Sequence, residues 1–141
     1  MSNAIRPRRA IAATLILTAL IIASPASPMT GEAYSYTPRK ICAIDWRVNK
    51  RHVKHLIRCA AHQYGVNADK AISIAHRESH FDPDAYNAWS CAKGIYQHLC
   101  RYWPDRAYDY GFKGRSAFNA RANIIVTMKM VRRHGWGPWG G

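Results

Sequence analysis

Between Ser116 and His134 the chain carries Ala122, Ile124, Ile125, Val126, Met128, Met130 and Val131, apolar side chains spread around most of a helical circumference rather than along one stripe. Such a helix has no face to offer water, so the rest of the fold must wrap it. Gly135 ends it, and Trp136-Gly137-Pro138-Trp139 follows as a compact aromatic turn. In a chain of 141 residues that is 48% hydrophobic, one central helix of this kind points to a single small domain. No stretch alternates well enough for a substantial sheet, which leaves room only for a small hairpin near residues 90 to 98. The expected fold class is mainly α, with a core small enough for cross-links to matter.

Two amphipathic helices are expected to supply the wrapping. From Trp46 to Tyr64, Val53, Leu56, Ile57, Ala60, Ala61 and Tyr64 recur at three-four spacing, opposite a basic face of Arg51, Lys54, His55, Arg58 and His62, and Gly65 provides a left-handed stop. A second helix is expected from about Asp69 to Phe81, capped by Asn67 or Asp69 and stopped by Asp82-Pro83, because a residue before proline is pushed out of helical geometry. On that helix Ala71, Ile74, Ala75 and Glu78 share one face, so a carboxyl continues the apolar stripe. Partial burial and the negative end of the helix dipole both disfavour its ionised form, which is the property a general acid needs. Arg77 and His80 oppose that tendency, and a plain glutamate–arginine pair is the competing reading.

Near the N-terminus, Arg6, Arg8 and Arg9 precede an uncharged apolar run of 14 residues, Ala10 to Ala23, followed by Ser24-Pro25-Ala26. That is the grammar of a cleaved export signal over residues 1–26, and the run is shorter than the ~20 residues a spanning helix needs. Residues 27–43, with Pro28, Gly31 and Pro38, read as a linker, and residues 44–141 as the domain. Export makes Cys42, Cys59, Cys91 and Cys100 a two-disulfide set; three pairings are open, and Cys91–Cys100 with Cys42–Cys59 is favoured. Zinc is disfavoured by the absence of a Cys-x-x-Cys pair, and His76 and His80 do not form a protease motif. Their intervening Glu78 sits about 200° around the helix from His76.

The acids are scarce: 21 Lys and Arg face 8 Asp and Glu, and only Glu32 and Glu78 are glutamates. Loss of Arg6, Arg8 and Arg9 with the leader lowers the charge from +13 to +10. A charge of that size suits adhesion to anionic wall polymers, whereas export and the dispersal of basic residues along helix faces speak against nucleic acid. No membrane span is expected once the leader is removed, and nothing in the pattern specifies an oligomer.

Ile74-Ala75-His76-Arg77-Glu78-Ser79-His80-Phe81-Asp82-Pro83-Asp84-Ala85 resembles the catalytic segment of soluble lytic transglycosylases, where an apolar helix ends in Glu-Ser before an aromatic, an Asn or Asp, and Pro. Ser90-Cys91-Ala92-Lys93-Gly94-Ile95-Tyr96-Gln97 resembles that family's Gly-Ala-x-Gly-Leu-x-Gln loop. Phe118-Asn119-Ala120-Arg121-Ala122-Asn123-Ile124 is similar to its Asn-Ile segment, and the Gly-Trp-Gly-Pro-Trp ending to short secreted members. The resemblance implies a lysozyme-like, goose-type small helical domain acting on the MurNAc–GlcNAc linkage of peptidoglycan glycan strands, with no cofactor and no metal. It assigns Glu78 as the acid that protonates the glycosidic oxygen and then helps the sugar's own 6-hydroxyl attack, giving a 1,6-anhydro product. Gln97, Tyr96, Ser90 and Asn123 are carried over as sugar contacts, and Asn123 has a rival role as a hydrogen bonder at a helix start. Trp103 and Trp136, with Trp89 and Trp139, are candidate stacking platforms or core residues. Cys91 stands where the family has Gly and Tyr96 where it has Met, so the groove there is expected to be braced and bulkier. Asp82 and Asp84 leave open a hydrolytic, goose-type outcome if either holds a water; turn formation around Pro83 is the alternative.

Overall fold

The computed structural model describes residues 42–140; the expected leader and nearly all of the linker lie outside the described residues. Three of the four α-helices among the described residues start on an asparagine whose side chain takes up an otherwise unpaired backbone N–H. Asn49 Oδ1 accepts from His52 N at 3.1 Å to open α1 (Lys50–Tyr64), and Asn67 Oδ1 from Lys70 N at 2.9 Å to open α2 (Ala68–Ser79). Asn119 Oδ1 accepts from Ala122 N at 3.0 Å to open α4 (Ala120–His134). Gly65, in the left-handed region at φ 66°, closes α1 as expected.

α4 is the buried helix foreseen from its composition: Ala122 through Met128, Met130 and Val131 are all buried, and only Lys129 interrupts the run. α1 packs on both α4 and α2, and Val53, Leu56, Ile57, Ala60 and Ala61 are buried along it. Both favoured disulfides are present, Cys42–Cys59 with Cα atoms 5.8 Å apart and Cys91–Cys100 at 5.5 Å. Arg121 on α4 donates to Cys42 O (2.6 Å) and Ile44 O (3.2 Å), so the segment tied to α1 by its disulfide is also tied to α4.

Three details differ from expectation. α2 ends at Ser79 rather than near Phe81, because His80 (φ 52°) and Phe81 (φ 65°) both take left-handed backbone and turn the Phe81 ring into the core. The sheet has three strands, not two: β1 (Tyr86–Asn87), β2 (Ala92–Lys93) and β3 (His98–Leu99), antiparallel in that order, with Asn87 opposite Ala92 and Lys93 opposite His98. A seven-residue helix, α3 (Trp103–Asp109), packs on α4 in a stretch for which the sequence suggested no element; Pro104 in its first turn costs no hydrogen bond there.

One buried polar network joins β3, α3 and α4. His98 is fully buried; Arg106 donates to its Nδ1 (2.9 Å), so Nε2 carries the proton and donates to Thr127 Oγ1 (2.8 Å), whose hydroxyl donates to Asn123 O (2.8 Å). Burial first, and the Arg106 charge second, lower the His98 pKa from 6.5 to about 3. The unfolded chain therefore takes up a proton near pH 6.5 that the native state refuses until about pH 3, so this contribution is full above pH 6.5 and is lost as pH falls. Wild type is expected to lose about 2 kcal/mol between pH 7 and pH 5 from this group, measured by urea unfolding, and His98→Gln to lose none of that increment. Equal pH slopes in the two proteins would contradict the assignment.

Candidate active site

α2 delivers Glu78 at its last turn with the side chain 24% exposed, on the edge of the stripe formed by Ala71, Ile74 and Ala75. It is the only glutamate among the described residues. Arg77 grips one of its oxygens, Oε1, through Nη2 (2.7 Å) and Nε (3.1 Å), while Oε2 receives no hydrogen bond from the described residues. The glutamate–arginine pair foreseen as the competing reading is therefore present, and it engages one of the two carboxyl oxygens.

The next residue fastens this helix end to the loop between β2 and β3. Ser79 is buried, and its hydroxyl is directed at Ile95 O (2.9 Å) and Ala75 O (3.2 Å). Asn123 on α4 holds the same loop from below: its Oδ1 accepts from Tyr96 N (2.9 Å), and its Nδ2 donates to Ala117 O (2.9 Å) and Lys93 O (3.2 Å). Gln97 is half-buried and donates through Nε2 to Gly94 O (3.0 Å) and Ala85 O (3.2 Å), which joins the loop to the segment after Pro83. Left-handed non-glycine backbone gathers here, at His80, Phe81, Cys91 and Gln97 (φ 48°), each adding about 1 kcal/mol of strain that the surrounding bonds must hold.

Several carried-over contacts sit differently from expectation. Tyr96 and Asn123 are fully buried, so neither offers a surface to a sugar; the Tyr96 hydroxyl donates to Ala71 O (2.9 Å), and burial pushes its pKa well above 10. Asn123 holds the loop instead, and the helix-start bond foreseen as its rival role is made by Asn119. Trp103 and Trp136 are packed into the core, Trp103 against His98 with its indole N–H on Arg115 O (2.6 Å), and Trp136 against Tyr96 and Trp139, which leaves little ring face for stacking. Among the candidate tryptophans the exposed one is Trp89, at the tip of the β1–β2 hairpin beside Ser90; both backbone N–H groups donate to Asn87 Oδ1. Asp82 Oδ1 accepts from Asp84 N (3.0 Å), the turn-forming alternative foreseen around Pro83. A cleft of about 380 Å³ opens beside that turn, between Trp46–Lys50 at the start of α1 and Phe81, Pro83 and Asp84. No cluster suited to a metal ion occurs among the described residues.

Ser79 is marked in the sequence by the Glu-Ser of the motif and by its place four residues after Ala75 on the inward stripe, but neither signal names its partner, Ile95 O.

The described domain is mainly helical, with its single glutamate at the end of α2 and the Gln97 loop bonded to that helix end through Ser79. The chain belongs to the transglycosylase SLT domain family, whose model matches residues 55–134, a span that contains Glu78, Gln97 and Asn123. No curated protein and no solved structure matches the chain. Family membership supports a glycan-cleaving activity of the lytic transglycosylase type, directed at peptidoglycan.

Proposed function

We propose that the chain is an exported lytic transglycosylase that cleaves the β-1,4 linkage between MurNAc and GlcNAc, with Glu78 as general acid and then general base. One observation supports this reading: Glu78, the only glutamate among the described residues, stands at the helix end with 24% of its side chain exposed and is bonded through Oε1 alone. The proton on the carboxyl passes to the glycosidic oxygen as the bond to C1 breaks. The resulting carboxylate takes the proton from the C6 hydroxyl of the same sugar, whose oxygen closes on C1. The acid returns to its starting state and no water is consumed. Such a reaction dispenses with the second carboxylate of ordinary glycosidases, and Asp82 is already engaged in its turn.

Gln97, half-buried, and Ser90, exposed, remain the polar candidates for meeting the glycan, and Trp89, fully exposed, the candidate ring for stacking on it. The excess of basic residues would hold the exported domain on anionic wall polymers, with an affinity that falls as salt rises. Purified sacculi incubated with the protein are expected to release soluble muropeptides. Sacculus binding without release would contradict the proposal and favour a non-catalytic wall-binding module.

A further inference from the structure

Arg77 and Glu78 are consecutive on α2, and consecutive side chains diverge by about 100° around a helix, so they do not ordinarily face one another. Here the pair is closed, with both Nε and Nη2 of Arg77 on the same Glu78 oxygen. A third bond accounts for it. Arg77 Nη2 also donates to the backbone carbonyl of Trp139 at 2.6 Å, which draws the guanidinium across the end of the helix. That carbonyl lies at the end of a 3-10 turn, Gly137–Trp139, where the last C=O groups lack partners inside the turn.

Trp139 is itself fixed. Its indole N–H donates to Tyr96 O at 2.9 Å, and its ring packs edge-on to Tyr96, His98 and Trp136 with centroids 5.6–6.2 Å apart. The aromatic turn is therefore bonded on one side to the loop that carries Gln97 and on the other, through Arg77, to the carboxyl of Glu78. Ser79 closes the same ring of contacts from the helix side through Ile95 O.

We propose that Arg77 is a positioning residue and the Trp136–Trp139 turn its anchor: together they fix which Glu78 oxygen is engaged and which faces the substrate. The inference rests on the reading of Glu78 as the acid. It adds that the orientation of this carboxyl is set by a segment far away in sequence, so that a change at Trp139 is felt at Glu78 without touching it.

The scarcity of glutamate makes this directly measurable. The chain holds only Glu32 and Glu78, so glutamate labelled with 13C at the side-chain carboxyl gives two resonances, and Glu78→Gln assigns them. Trp139→Phe, which keeps a ring but removes the indole N–H, is expected to move the Glu78 resonance and leave that of Glu32 in place. Arg77→Gln should move it further. On sacculi, Arg77→Gln is expected to lower kcat about tenfold with KM within about twofold, the pattern of a misplaced reacting group. Arg77→Lys, a point charge that cannot bridge carboxylate and carbonyl together, should recover part of the loss. A Glu78 resonance unmoved in Trp139→Phe would overturn the anchor, whatever the activity. A moved resonance with wild-type kcat in Arg77→Gln would overturn the positioning role. Full activity in Glu78→Gln would instead remove the reading on which the role depends, while the resonance would still report the anchor.

Discussion

Glu78→Gln is expected to reduce muropeptide release by at least about 100-fold, the lower end of what a positioned general acid–base contributes. The substitution keeps the size of the side chain and leaves an oxygen for Arg77, so the Oε1 contact has a replacement. What it removes is the proton on the open oxygen and the base that follows it. Because Glu78 lies at the edge of the stripe rather than within the core, thermal stability should change little, and sacculus binding, carried by dispersed basic residues, should persist. Turnover by the purified variant, with a melting curve and a sacculus pull-down on the same sample, checks all three. Activity above a tenth of wild type would remove Glu78 from the acid role.

Gly94→Ala is expected to cost about 3–4 kcal/mol of stability, among the larger effects a single methyl can have. Gly94 adopts φ 75°, where an L side chain is strained, and a Cβ there would overlap the Ala117 carbonyl oxygen and lie 2.6 Å from Asn123 Nδ2. Neither neighbour yields cheaply. Ala117 O is backbone, and the Asn123 amide satisfies Tyr96 N, Lys93 O and Ala117 O at once in a site without solvent. Urea unfolding of the variant measures the loss; stability within 1 kcal/mol of wild type would show that the loop is far looser than these contacts require. The same change should depress activity in whatever fraction stays folded, since the loop carries Gln97.

Much of the scaffold was legible because it depends on local rules. α1 and α4 declare themselves by three-four spacing and by an apolar circumference, and their C-terminal ends by Gly65 and Gly135, whereas their starts fall about four residues later than the apolar pattern, from Trp46 and Ser116, suggested. Both disulfides match the pairing favoured among the three that were open. What escaped was either short or distant. α3 spans seven residues with only Trp103 and Ala107 buried, too little for a period to show, and strands of two residues cannot display alternation. The site shows the same division. Glu78 and Gln97 stand out in a motif, whereas Tyr96, Asn123 and Trp136 have side chains that suit a sugar groove and a core equally well. Only the long-range packing of α4 and the aromatic turn decides between them. Arg77 was noticed as a neighbour of Glu78; that it reaches Trp139 is a fact of tertiary structure alone.

The central claim is that one carboxyl, with the substrate's own hydroxyl as nucleophile, is the whole of the chemistry. Mass spectrometry of the glycan ends released from purified sacculi tests it most directly. The account predicts 1,6-anhydro ends, about 18 mass units lighter than the reducing ends that hydrolysis leaves. Reducing ends as the sole product would contradict it.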